Sequence, residues 1–105
     1  MPKEFSVAAE IVGERLRDIR HRMALSQEDV AHLAEMHVTN YGKIERGRAN
    51  PSLTTLIRIA VALSTDPGEL IRGIGKTALP ESTHLLTAAE LIRERQLREL
   101  KPRAT

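Results

Sequence analysis

The segment of residues 41–53, YGKIERGRANPSL, combines side chains that can bind phosphate with one that should repel it. Four cations surround the carboxylate of Glu45 in sequence: Lys43, Arg46, Arg48 and Arg58. A basic cluster of this kind is typical of a surface that contacts a polyanion. Three interpretations of Glu45 follow: an acid catalyst, a defect in the basic surface, or a structural residue.

Other residues that could do catalytic or metal chemistry are absent or poorly spaced. The chain has no Cys, which excludes disulfides and thiolate metal sites. His32 and His37 are five residues apart, whereas a helical metal pair needs a spacing of four. Ser26 and Ser52 fit helix caps and have no acid–base partner near them in sequence. The sequence therefore predicts no catalytic residue, no metal site, no cofactor and no enzyme activity.

Composition limits the chain to one small globular domain. It has 105 residues, 29% of them charged, with a formal net charge of +2. With one Phe, one Tyr and no Trp, the core must be aliphatic, which favours packed helices. No apolar run approaches the roughly 20 residues that span a bilayer, and the first 20 residues do not fit a signal peptide. We expect a cytoplasmic protein with no membrane partner.

Apolar periodicity predicts the helices that position the basic segment. A first helix, about residues 7–23, places four apolar residues on one face: Val12, Leu16, Ile19 and Met23. Ser26 and Asp29 predict the start of a second helix through a capping box, and its inward residues are Val30, Ala31 and Ala34. A third helix is predicted over about 38–46, where Gly47 ends it.

Three further helices are predicted downstream. Ser52 caps a fourth, whose expected buried stripe is Leu53, Leu56, Ile59, Ala60 and Leu63. Asp66 and Pro67 start a fifth, and Thr87 with Glu90 starts a last amphipathic helix over about 88–100. The expected divisions are an N-terminal tail (1–6), a helical domain (7–74), a linker (75–86), and a C-terminal helix with its tail (87–105).

The tight connection between the second and third helices predicts a helix-turn-helix. Residues 13–71 resemble the Cro/repressor-type domains of the xenobiotic-response-element family, on the strength of LSQEDVA, KIERGRANPSL and the spacing of apolar residues from Leu56 to Leu63. The resemblance implies an all-α fold: a compact five-helix, repressor-like helix-turn-helix domain, here followed by a C-terminal amphipathic helix. Glu35 departs from the family pattern, which has Gly at that turn.

The resemblance also implies a DNA-contacting surface. Base-reading positions on the third helix correspond to Val38, Thr39, Gly42 and Lys43, with Asn40 in range of a base or a phosphate. The expected phosphate contacts are Gln27 at the start of the second helix, then Arg46, Arg48 and Asn50 after the reading face. The Glu of IERG is similar to a family residue that turns inward and pairs with a cation of the first helix, which is Arg20 here. That pairing favours the structural interpretation of Glu45.

The predicted function is therefore a sequence-specific DNA-binding transcriptional regulator, dimeric on a two-fold symmetric operator of double-stranded DNA. An autonomous repressor, an antitoxin and a restriction-modification controller all remain open. The alternative is a protein-interaction module, such as an antitoxin or a polymerase-binding adaptor, whose partner is a toxin or RNA polymerase. Ile57 and Val61 are consistent with either a broad buried face or a dimer surface shared with Leu70, Ile71 and Ile74.

Overall fold

The protein is all-helical over the residues that the structure, a computed structural model, describes: 6–80 and 86–100. The helices are α1 (Val7–Arg22), α2 (Gln27–Leu33), α3 (Val38–Glu45), α4 (Leu53–Ala62) and α5 (Pro67–Ile71), a 3₁₀ helix (Lys76–Ala78), and α6 (Ala88–Leu100). This confirms the predicted fold class. None of the helices within those residues is long and apolar enough to cross a membrane.

Polar caps fix where the central helices begin. At α2, the Ser26 Oγ accepts from the Asp29 N–H at 3.0 Å, and an Asp29 carboxylate oxygen accepts from the Ser26 N–H at 2.8 Å. This is the predicted capping box, which satisfies two N–H groups that the helix itself leaves unpaired. Ser52 caps α4 and Asp66 caps α5 more simply, each accepting one backbone N–H of its helix with a side-chain oxygen. These caps set the register of the helix-turn-helix.

The core is mainly aliphatic and lies between the first five helices, where α3 packs on α1 and α2, α4 packs on α2 and α5, and α5 packs on α1. Its fully buried large side chains are Leu16, Val30, Tyr41, Ile59, Leu63 and Leu70. Two predicted core residues are wrong: Met23 is 43% exposed and Leu53 is 73% exposed. Met23 caps the C-terminus of α1 and Leu53 opens α4, so both lie at helix ends beyond the packed region.

The segment after α5 is more structured than a linker. Residues 76–78 form the 3₁₀ helix, and Ala78 is buried. This short helix lies within the predicted linker, 75–86. The rest of the predicted linker at 81–85, and the tails at 1–5 and 101–105, lie outside the described residues. Helix α6 has no buried side chain, and its large apolar residues are exposed: Leu91, Ile92, Leu97 and Leu100.

Candidate nucleic-acid interface

A buried ion pair joins α3 to α1. The Arg20 guanidinium donates to both carboxylate oxygens of Glu45, from Nε to Oε2 at 2.6 Å and from Nη2 to Oε1 at 2.9 Å. The two side chains are only 11% and 2% exposed. Arg20 Nη1 also donates to the Leu25 carbonyl at 3.0 Å, and Gln27 Nε2 donates to Glu45 Oε1 at 3.2 Å. One carboxylate thus connects α1, the start of α2 and the end of α3.

The surroundings of the pair keep Glu45 ionised. Burial alone would raise the pKa of its carboxyl, but hydrogen bonding, above all from Arg20, together with the charge of Arg20 outweighs burial and holds that pKa below its ordinary value. The same hydrogen bond to Glu45 raises the pKa of the Arg20 guanidinium. An ionised carboxylate that accepts three hydrogen bonds and faces the interior is unsuited to acid catalysis. It acts as a structural counter-ion.

Tyr41 lies beside this pair as part of the core. Its side chain is fully buried, and its hydroxyl has no hydrogen-bond partner among the described residues. Burial raises the pKa of this hydroxyl, so it stays protonated at neutral pH. The ring is part of the hydrophobic core and packs α3 against the rest of the protein.

Two glycines let α3 end directly against α1. A Cβ added at Gly13 would lie 2.4 Å from the Glu45 carbonyl oxygen and 2.6 Å from that of Ile44. Gly47, with φ of +70°, would place a Cβ 2.8 Å from the Glu10 Cα. Backbones this close require the absence of a side chain. The end of the reading helix is therefore fixed on α1 by backbone contact as well as by the ion pair.

The turn between α2 and α3 keeps the conformation for which the family uses Gly. Glu35 has φ of +56°, in the left-handed region. The Met36 N–H donates to the Ala31 carbonyl at 2.9 Å across this turn. A residue with a Cβ costs about 1 kcal/mol in this conformation. The chain therefore makes the usual turn geometry with an unusual residue.

Opposite its buried side, α3 presents an exposed face. Tyr41, Ile44 and Glu45 point inward, whereas the predicted reading residues lie outward and exposed: Val38, Thr39, Asn40 and Lys43. Gly42 is the exception among the predicted reading positions, because it is buried. Arg46 follows at the end of the same face and is exposed. A helix held by one side with a polar opposite side has the form of a groove-reading element.

The remaining predicted contacts flank this face. Arg48 and Asn50 are exposed in the loop between α3 and α4, and Gln27 is half-buried at the start of α2. A cleft of about 270 Å³ next to α3 is lined by Asn40, Lys43 and Arg58, among others. Our sequence-based site left out Arg58, although it belongs to the same cationic cluster in sequence. Its position on α4 becomes relevant only once α4 is folded against α3.

Metal chemistry finds no support in the part of the chain that the structure describes. Residues 6–80 and 86–100 contain no group of three or more His, Cys, Asp or Glu that could hold a metal ion.

Comparison with known proteins gives a consistent family. The family model described as "Helix-turn-helix domain" matches residues 11–72. The control protein C.SmaI of Serratia marcescens is 40% identical over 62 residues, covering 59% of this chain and 74% of that protein. The transcriptional regulator DdrOP3 of Deinococcus deserti is 38% identical over 61 residues, covering 58% of this chain and 47% of that protein.

A solved structure agrees with these sequence matches. The restriction-modification controller protein C.AhdI from Aeromonas hydrophila superposes with a TM-score of 0.58 and 39% sequence identity, covering 59% of this chain and 94% of that one. The matched region contains the capped α2, the turn at Glu35 and the anchored α3. The chain therefore belongs to the helix-turn-helix family of DNA-binding transcriptional regulators, in its Cro/repressor or xenobiotic-response-element branch.

Proposed function

We propose that this regulator binds a specific operator by placing α3 in the major groove of B-DNA. The observation that carries the proposal is the two-sided character of α3: Glu45 is held within the protein by Arg20, and Lys43 is exposed on the opposite side. An α-helix fits the major groove, where each base pair presents a distinct pattern of donors and acceptors. A rigidly held helix spends little binding energy on ordering.

Base reading falls to the exposed residues of α3. Lys43 donates to guanine acceptors, Thr39 hydrogen-bonds a base edge or touches a thymine methyl, and Val38 touches a methyl. Asn40 reaches a base or a phosphate. These side chains are few and mostly short, so sequence-dependent DNA shape contributes to specificity beside direct contacts.

Phosphate binding falls to the flanking residues. Arg46, Arg48, Asn50 and Gln27 contact the DNA backbone together with the N–H groups at the start of α4, which Ser52 caps. Arg58 adds a cation beside Asn40 and Lys43. Their charges attract DNA of any sequence and set the register in which α3 reads bases.

The proposed working form is a homodimer on a two-fold symmetric operator, with two reading helices about 34 Å apart. Leu33, Ile57 and Val61 are exposed apolar side chains that line a common cleft between α2 and α4. Such a patch is what a subunit interface would cover. The protein works where chromosomal DNA is accessible, which we take to be the cytoplasm.

A protein partner such as a toxin or RNA polymerase would use the same exposed patch, with DNA contact secondary. The two proposals differ in which residues matter. DNA binding requires Lys43 and Arg46, whereas a protein-binding module tolerates their replacement by Ala and fails on replacement of Ile57 or Val61.

Selection of bound duplexes from a random pool tests the DNA proposal. We expect a palindromic consensus whose half-site spacing reports the dimer. Fluorescence titrations on that consensus should then show affinity falling with salt. The logarithm of the binding constant should fall against the logarithm of the salt concentration with a slope of about −5, if three cations in each subunit bind six phosphates in the dimer. Lys43→Ala should weaken the consensus more than random duplex. No enrichment in the pool, or salt-independent affinity, would refute the proposal.

A further inference from the structure

Gly42 is buried although it lies in the middle of the exposed face of α3. Two side chains lie over it. A Cβ built at Gly42 would be 3.0 Å from the Arg46 guanidinium at Nη1 and 3.4 Å from the Gln27 amide oxygen. Arg46 Nη1 and Gln27 Oε1 therefore both lie within 3.4 Å of the position that a Cβ of Gly42 would occupy. A side chain at Gly42 would crowd both groups, and the end of the Arg46 side chain most.

Gln27 is held in this position by the buried ion pair. Its Nε2 donates to Glu45 Oε1 at 3.2 Å, and Arg20 holds the same oxygen at 2.9 Å. Arg46 begins one residue after Glu45, and its side chain reaches back one helical turn to Gly42, the direction that helical side chains favour. The Gln27 amide oxygen and the Arg46 guanidinium thus both lie against Gly42, on the side of α3 that faces the start of α2.

Together these groups present donors of the kind that phosphate oxygens accept. The guanidinium offers a planar fork of N–H groups, and the Gln27 amide has a second N–H beyond the one donated to Glu45.

We propose that Gln27 and Arg46 bind one DNA phosphate as a single clamp, and that Gly42 is the positioning residue that allows the clamp to form. This rests on the proposed DNA-binding function and refines it. Two separate phosphate contacts become one coupled contact, and a glycine on the reading face gains a role other than approach to a base. Glycine in a helix interior lowers the stability of the helix. The space that Gly42 leaves for the side chains of Arg46 and Gln27 would compensate for that loss.

A double-mutant cycle measures the coupling. Operator affinity is determined by fluorescence titration for the full chain, Gln27→Ala, Arg46→Ala and the double variant. We expect Arg46→Ala to weaken all duplexes alike and, because each subunit of the proposed dimer loses one phosphate contact, to reduce the salt slope by about two. If the two residues share one phosphate, the loss of affinity caused by Gln27→Ala should be at least about threefold smaller in the Arg46→Ala background than in the wild-type chain. Additive losses would overturn the clamp.

Gly42 is tested in the same way. Gly42→Ala should raise the melting temperature, because Ala favours the helix, and yet lower operator affinity, with Gly42→Val lowering it further. In the Arg46→Ala background, the affinity loss from Gly42→Ala should disappear. A loss that persists there would mean that the new methyl group meets DNA directly, which refutes the positioning role. Gly68→Ala in α5 is the matched control, because a Cβ there meets nothing closer than 3.6 Å.

Two results separate this inference from the function on which it rests. A wild-type chain that prefers no duplex refutes the proposed function itself. A wild-type chain that binds its consensus, while Arg46→Ala relaxes specificity at one base pair, assigns Arg46 to base reading and refutes the clamp alone.

Discussion

At the scale of single residues, Glu45 and Lys43 of α3 have different roles, one in stability and one in binding. Glu45 faces inward and is hydrogen-bonded by Arg20 and Gln27, whereas Lys43 is exposed. A buried ion pair adds little net stability, but removing one partner leaves the other charge buried and unpaired. The two residues should therefore separate stability from binding.

Glu45→Gln should lower the free energy of unfolding by about 3 kcal/mol, because Arg20 keeps its charge without a counter-ion. Lys43→Gln should change it by less than about 0.5 kcal/mol, as an exposed substitution does, but should weaken operator binding more. Thermal melting and fluorescence titration of both variants measure the two effects. Equal loss of stability in both variants would contradict the assignment.

The lowered pKa of Glu45 also makes stability depend on pH. The unfolded chain takes up a proton near the ordinary value of 4.5, whereas the folded chain does so at lower pH. The contribution is therefore complete above the unfolded pKa and is lost as pH falls through the folded one. Urea unfolding between pH 7 and pH 3 should show this loss. The slope should be shallower for Glu45→Gln, and unchanged for the exposed control Glu14→Gln.

At the scale of helices, the position of α3 depends on how closely it approaches α1. Gly13 brings the α1 backbone against the carbonyls of Ile44 and Glu45, and Gly47 allows the chain to turn away beside Glu10. Capping motifs define where helices start, but such close crossings define how they are oriented relative to one another. Reading residues on α3 are therefore sensitive to residues on α1 that never meet DNA.

Gly13→Ala should destabilise the fold by about 1–3 kcal/mol. The added methyl group would overlap the carbonyls of Ile44 and Glu45, which can move only if the backbone of α3 moves. Ala is otherwise the better helix former, so the sign of the effect distinguishes packing from propensity. Gly68→Ala provides the comparison, as an added Cβ there makes only ordinary contacts. Chemical denaturation measures both, and a stabilised Gly13→Ala would refute the close crossing.

At the scale of the whole molecule, two apolar surfaces remain exposed on the described residues. One lies between α2 and α4, with Ile57 at 41% and Val61 at 69% exposure. The interpretation of these two residues as part of a broad buried face is therefore wrong, and Leu70, which is fully buried, cannot share a dimer surface with them. The other surface is α6, a 13-residue helix of a length that is marginal alone in water.

Val61→Glu should convert the proposed dimer to a monomer in sedimentation equilibrium and abolish tight binding to the expected palindromic consensus. The melting temperature extrapolated to low protein concentration should change little, because Val61 is exposed within its own subunit. Leu97→Glu is the matched control on α6, where the side chain is 54% exposed. A dimer that survives Val61→Glu and dissociates with Leu97→Glu would move the proposed interface to α6.

We also propose that the DNA-binding unit ends near Pro80 and that α6 is a separate element. A chain truncated after Pro80 should keep the melting temperature of the full chain, since no side chain of α6 is buried. A chain truncated after Ile74 loses the buried Ala78 and should melt at lower temperature. Equal melting of both truncated chains would restore the boundary at residue 74.

The sequence determined the capped helix starts and, through the family resemblance, the pairing of Glu45 with Arg20. Caps depend on a few neighbouring residues, so their chemistry is readable along the chain. The left-handed conformation at Glu35 was established by the structure. The exposure of Met23 and Leu53, the burial of Gly42 beneath Arg46 and Gln27, and the place of Arg58 beside Lys43 were decided only by tertiary structure. Each of these features depends on where the end of one helix lies relative to another helix. The apolar periodicity within a single helix carries no information on that distance.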